Sequence, residues 1–298
     1  TTTPVTWSYV GSAGFSAGQA SYTSLALDSS GVPYVAYRDS ANSFKATVMK
    51  YDSVSGWVLV GSAGFSDGVA SYTSLALDSS GVPYVAYQDV ANGEKATVMK
   101  YDGSGWVLVG SAGFSDGVAS YISLALDSNN VPYVAYKDGA NGGKATVMKY
   151  DGSGWVPVGS AGFSADAALY TSLALDSNNV PYVAYVDGAN SNKATVMKYD
   201  SGSGWVPVGS AGFSDGEVAY TSLALASNAV PYVAYVEVEN GGKATVMKYD
   251  GSGWVPVGSA GFSADAALYT SLALDSNNVP YVAYVDGANS NKATVMKF

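Results

Sequence analysis

Residues 22–52 read YTSLALDSSGVPYVAYRDSANSFKATVMKYD, three runs rich in β-branched and aromatic residues parted by clusters of Ser, Gly, Asn and Asp. Runs of this kind between turn residues predict short strands. They begin at Tyr22 (YTSLALDS), Val32 (VPYVAYRD) and Lys45 (KATVMKYD), and a fourth, WVLVG, follows from Trp57. SSG joins the first two and DSVSG the last two, links short enough for hairpins. The stretch therefore predicts a four-stranded antiparallel meander.

Working outward, the unit recurs. Trp stands at Trp7, Trp57, Trp106, Trp155, Trp205 and Trp254, at spacings of 50, 49, 49, 50 and 49. A period of that size marks an architecture whose units cover one another's apolar faces. Residues 155–198 and 254–297 are identical at all 44 positions, the mark of recent duplication or of deliberate symmetrisation. Drift at Gln19, Phe44, Ala226 and Glu237 argues for natural amplification.

Small sheets stacked around an axis bury both faces of each, which predicts an all-β, six-bladed β-propeller with four antiparallel strands per blade. Ser24 and Ala26 alternate with Leu25 and Leu27, the small-and-large taper of strands crowding toward an axis. Pro157, Pro207 and Pro256 interrupt the Trp run, and a residue without an N–H belongs on an edge strand, so that run lies outermost. The chain opens on such a run and ends after a third strand. Residues 6–11 are therefore expected to pair with residues 292–298 and close the ring, with residues 1–5 a tail and 6–298 one domain. At the hairpin position of Gly31 the later copies carry Gly81, Asn130, Asn179 and Asn278, residue types that tolerate positive φ. Ala229, in the fifth copy, predicts a changed or strained turn.

The progression of strand, turn, strand, Asp-x-x-Asn and strand in residues 22–52 resembles the NHL repeat and its six-bladed propeller relatives, across the whole chain in six copies. The unit is longer than a typical NHL repeat and lacks the basic residue that usually follows the Asn. The resemblance implies the propeller fold. Because NHL members variously bind protein or RNA or act as enzymes, it implies no one activity.

Composition narrows the function. Lys and Arg number 14 against 24 Asp and Glu, a net charge of −10 that opposes phosphate backbones and argues against nucleic acid as a partner. The chain has no Cys and no His, which excludes disulfides, thiolate nucleophiles, Ser-His-Asp and Cys-His catalysis, and His-containing zinc sites. No run approaches the 18 apolar residues of a membrane span, and no basic-then-apolar leader opens the sequence as written. TTTP at residues 1–4 reads as the end of a linker. A monomer working outside the cell is expected.

If the strand at Tyr22 is innermost, the long SAGFSDGVAS-type connection and the Asp-x-x-Asn loop emerge together. The candidate ligand-binding residues are then Asp39 with Asn42, Asp89 with Asn92, Asp138 with Asn141, Asp187 with Asn190, Glu237 with Asn240, and Asp286 with Asn289. Tyr22, Tyr72, Tyr121, Tyr170, Tyr220 and Tyr269 join them at the mouth of the axis. Oxygen-rich rings, with Asp67, Asp116, Asp166, Asp215 and Asp265 in the other loop, could hold Ca²⁺. Alternatively, each Asp–Asn pair hydrogen-bonds the backbone of its own tight loop.

Catalysis needs unlike neighbours with separated pKa values, whereas near-sixfold repetition supplies one residue type six times. No catalytic residue, no cofactor and no enzyme is predicted. The expected function is a non-catalytic scaffold presenting near-identical loop sets to a protein or glycan. The alternatives are a lectin-like multivalent carbohydrate binder with pockets between blades, a purely structural or engineered symmetric propeller without ligand and, last, an axial Ca-dependent hydrolase. The Trp series, Phe15, Tyr34 and Tyr37 are expected to pack, and Lys45 and Lys50 to act as charges that discourage edge pairing.

Overall fold

In the first repeat, alternation of side chains yields β1 (Ala20–Leu27), β2 (Pro33–Asp39), β3 (Lys45–Asp52) and β4 (Gly56–Leu59), paired antiparallel in chain order. The computed structural model describes residues 10–298. The chain divides into two compact units, the first ending at Gly113 and the second running Phe114–Phe298.

The first unit holds this sheet and a second of β5 (Ala70–Leu77), β6 (Pro83–Asp89), β7 (Lys95–Tyr101) and β8 (Trp106–Leu108). The second unit opens with β9 (Ala119–Leu126), β10 (Pro132–Asp138), β11 (Lys144–Tyr150) and β12 (Trp155–Pro157). Two further four-stranded sheets follow: β13 (Ala168–Leu175), β14 (Pro181–Asp187), β15 (Lys193–Asp200) and β16 (Gly204–Pro207), then β17 (Val218–Leu225), β18 (Pro231–Glu237), β19 (Lys243–Tyr249) and β20 (Trp254–Pro256). The last sheet has three described strands, β21 (Ala267–Leu274), β22 (Pro280–Asp286) and β23 (Lys292–Lys297). Its expected fourth, from residues 6–11, falls largely on residues 1–9, which lie outside the described residues.

The proline-bearing strands β12, β16 and β20 end their sheets, as an absent N–H requires. β1 starts two residues earlier than its pattern suggests and carries a bulge between Ser21 and Ser24. It stops at Leu27 because the Asp28 carboxylate captures the N–H groups of Ser30 (2.8 Å) and Val32 (2.9 Å) and turns the chain. Gly31 completes that turn at φ 80°. Ala229 sits at φ 63°, the value of Asn179, so the fifth turn keeps its shape and holds alanine in a region that costs L residues energy.

The core lies between successive sheets within each unit. In the first, Tyr34, Ala36, Val48 and Val60 of one repeat meet Leu75, Val85 and Tyr87 of the next. In the second, Tyr182, Val196 and Val208 meet Leu223, Val233 and Tyr235 in the same way. The connection after each fourth strand is clamped by aromatics: Phe65 stacks on Trp106 at 4.0 Å, and the indole N–H donates to the Val60 carbonyl at 2.8 Å. A Cβ on Gly61 would stand 2.9 Å from Tyr101 and 3.0 Å from Trp106, so only glycine passes there. Phe163 on Trp205 and Phe213 on Trp254, both at 4.0 Å, repeat the clamp, and the Trp series packs rather than projects. Among the described residues no helix is long and apolar enough to cross a membrane.

Candidate functional site

The Asp-x-x-Asn residues come first because β2 delivers Asp39 at its end, almost fully buried. One carboxylate oxygen accepts the Ala41 N–H at 3.0 Å; the other accepts the Asn42 amide at 2.8 Å and the Thr47 hydroxyl at 3.0 Å. The Thr47 oxygen in turn accepts the N–H of Gly64 at 2.8 Å, tying down the connection to the next repeat. Asp89 with Asn92, Asp138 with Asn141, Asp187 with Asn190, and Asp286 with Asn289 repeat these three bonds. Each closes a one-turn 3-10 segment, such as Ser40–Asn42, that the sequence pattern did not disclose. Glu237 differs: among the described residues its carboxylate reaches only the Asn240 amide, at 3.1 Å. Among the described residues no three acidic side chains come together in a metal-binding group.

The tyrosines share this end of the sheets, because Ala20, two residues before Tyr22, lies opposite Asp39. The bulge holds Tyr22, Tyr72, Tyr121, Tyr170, Tyr220 and Tyr269 at φ between 52° and 55°, uncommon for so bulky a residue. Four of these strained positions are held from the next sheet: the Thr73 hydroxyl donates to the Tyr22 carbonyl, Thr171 to that of Tyr121, Thr221 to that of Tyr170 and Thr270 to that of Tyr220, while Ile122 stands in the threonine's place beside Tyr72. The rings meet in sequence within each unit. Tyr22 and Tyr72 are 4.9 Å apart; Tyr121, Tyr170, Tyr220 and Tyr269 follow one another at 4.8, 4.8 and 4.6 Å. Burial first, then the neighbouring Tyr170 and Tyr269, pushes the Tyr220 phenol up to about 12.

A site that residue-by-residue reading missed lies at the opposite end of the sheets in the first unit. A cavity of about 430 Å³ opens between its two sheets, lined by Tyr34 and Lys50 from one and by Asp78, Tyr84, Lys100, Tyr101 and Asp102 from the other. Lys50 pairs with Tyr34 across β2 and β3, its ammonium 5.9 Å from the ring centroid, and Lys100 sits 5.8 Å from the centroid of Tyr84. The expectation that Lys50 guards an edge is thus corrected: β3 lies inside its sheet, and this lysine lines a cavity. Burial, and secondarily Asp28 and Asp78, raises the Tyr34 and Tyr84 phenols, which stay protonated at neutral pH. The signal was the register pairing of Tyr with Lys. The second wall comes from the following repeat, so no contiguous motif announces the cavity.

With this geometry in hand, the chain can be set beside known proteins. No family model matches it, and no curated protein does. Solved structures match over nearly its full length. The six-bladed lectin of Aleuria aurantia shares 15% identity over 92% of this chain and 93% of its own, at a TM-score of 0.59. The SapL1 lectin, solved with α-methyl fucoside, shares 18% over 94% of each chain at 0.62. A family PL25 polysaccharide lyase, an ulvan lyase, shares 13% over 91% of this chain and 78% of its own at 0.62. The chain therefore has the six-bladed β-propeller fold, and its structural neighbours include both sugar-binding proteins and a sugar-cleaving enzyme.

Proposed function

We propose that this propeller is a non-catalytic glycan-binding module whose sugar sites are the cavities between adjacent sheets. The cavity of Tyr34, Lys50, Asp78, Tyr84, Lys100 and Tyr101 carries the reading. Aromatic faces take the C–H face of a sugar, while carboxylates and ammonium groups hydrogen-bond its hydroxyls. The residue types recur at equivalent positions as Tyr133, Lys149, Asp176, Tyr182, Lys198 and Tyr199, which supports several weak sites per chain acting together. The lectin neighbours are consistent with this reading, as is an NHL-like repeat working as one domain over residues 6–298.

A glycan array followed by calorimetry tests it. The expected result is a neutral-sugar ligand with more than one equivalent bound per chain, and fewer equivalents for Tyr84→Ala. No binding across the array would leave a scaffold without ligand, and turnover of a bound polysaccharide would replace the module with an enzyme.

A further inference from the structure

Arg38 is the only arginine in the chain and stands at a position where the repeats differ in chemistry. Directly opposite one another on the first two strands, the first three repeats place Ser21 and Arg38, Ser71 and Gln88, and Ser120 and Lys137. The last three place Leu169 and Val186, Ala219 and Val236, and Leu268 and Val285. The fold accepts an apolar pair at this position, so the polar pairs are not required by packing.

The guanidinium is poorly satisfied by its own protein. Its Nη1 reaches Ser71 Oγ only at 3.5 Å, and its Nε is buried without a partner. It forms no ion pair with any carboxylate of the described residues, in a chain with 24 acids. Its central carbon lies 4.8 Å from the ring centroid of Tyr22 and 5.5 Å from that of Phe44, rings that are 40% and 47% exposed. A fork of five N–H donors with one long bond is prepared for a planar oxyanion. The flanking rings give a pyranose an apolar face to lie on.

We propose that Arg38 binds the carboxylate of a uronic acid within an otherwise neutral glycan. Isolated uronic acids suit the chain better than a polyuronate, because a net charge of −10 repels a polyanion while a single guanidinium fork attracts one carboxylate. The polymer class rests on the glycan reading above. The charge requirement rests on Arg38 alone, at the opposite end of the strand from Tyr34.

NMR titration with cellobiouronic acid and with its methyl ester separates the two. Wild-type protein is expected to bind the acid about tenfold more tightly than the ester, a preference that weakens with salt. Arg38→Gln, which installs the side chain found at Gln88, is expected to erase the preference with the melting temperature unchanged. Tyr84→Ala is expected to keep the preference, so failure of the cavity reading leaves this one standing. Equal affinity for acid and ester, a preference that survives Arg38→Gln, or equal displacement of the sugar by a poly-glutamate peptide would overturn the proposal.

Discussion

The fourth and fifth repeats pair their strands alike but carry different polar anchors, and the fifth lacks the 3-10 segment that follows Asp187 in the fourth. In the fourth, the Asp187 carboxylate collects three hydrogen bonds, and Asp176 captures the N–H groups of Asn178 (2.9 Å) and Val180 (2.8 Å). In the fifth, Glu237 makes one bond, and Ala226 stands where Asp176 would be, leaving only a 3.4 Å contact from Val230 N–H to Asn228. Yet the hairpin bonds persist: Ala226 N–H to Val230 carbonyl at 2.9 Å, and Ala229 N–H to Ala226 carbonyl at 2.8 Å. Strand pairing and the buried faces dictate the path of the strands and of this hairpin, while the Asp carboxylate adds stability and shapes the short 3-10 segment that Glu237 does not close.

The largest expected effect breaks the better-anchored repeat. Asp187→Ala orphans the Ala189 N–H, the Asn190 amide and the Thr195 hydroxyl in a nearly dry site, and is expected to cost about 3 kcal/mol in denaturant unfolding. Glu237→Ala removes one bond and is expected to cost about 1 kcal/mol. Glu237→Asp, restoring the shorter acid, is expected to gain about 1 kcal/mol. Equal losses in the two alanine variants would mean that the anchors, and not the strands, set the stability of each repeat.

Alkali should not separate the repeats, which sharpens the contrast. Tyr185 and Tyr235 are nearly fully buried, and burial, then the charge of Asp187 or Glu237, raises both phenols. The folded chain keeps protons that the unfolded chain begins to release near pH 10, so stability is complete below that pH and falls as pH rises toward the folded values. Each phenol is expected to contribute a fall of about 1.4 kcal/mol per pH unit in that window. Tyr185→Phe and Tyr235→Phe are expected to flatten the pH profile equally; unequal flattening would show that the two tyrosines are not equivalent.

Much of this was legible because the repeat is short and regular. The hairpin links, the prolines of β12, β16 and β20, and the near 49-residue period each act through local backbone chemistry, which a sequence displays. The strained tyrosines were legible as candidates but not as strained. Nothing around Tyr22 marks a bulge, since the Thr73 hydroxyl that holds it belongs to the next repeat. The Tyr34–Lys50 cavity hid for the same reason, its walls being half a hundred residues apart in sequence. Lys50 reads as an edge charge until its register with Tyr34 and the wall of the next repeat place it in a cavity.

The smallest expected effect concerns Ala229, where two contributions can be separated. Asn179 does more than tolerate φ 63°: its amide accepts the Ser128 N–H at 3.0 Å and donates to the Ser128 hydroxyl at 2.9 Å, clamping the turn of the preceding sheet. Asn278 does the same to Ser227, at 3.0 and 3.2 Å. Ser177 holds the matching position opposite Ala229, whose methyl group can neither accept nor donate. Ala229→Gly relieves only the left-handed strain, at some cost in unfolded-chain entropy, and is expected to gain about 0.5 kcal/mol. Ala229→Asn tolerates the same φ and adds the clamp, for an expected gain of about 1 kcal/mol. If glycine and asparagine stabilise equally, the clamp contributes nothing, and the asparagines at these turns serve their own backbone alone.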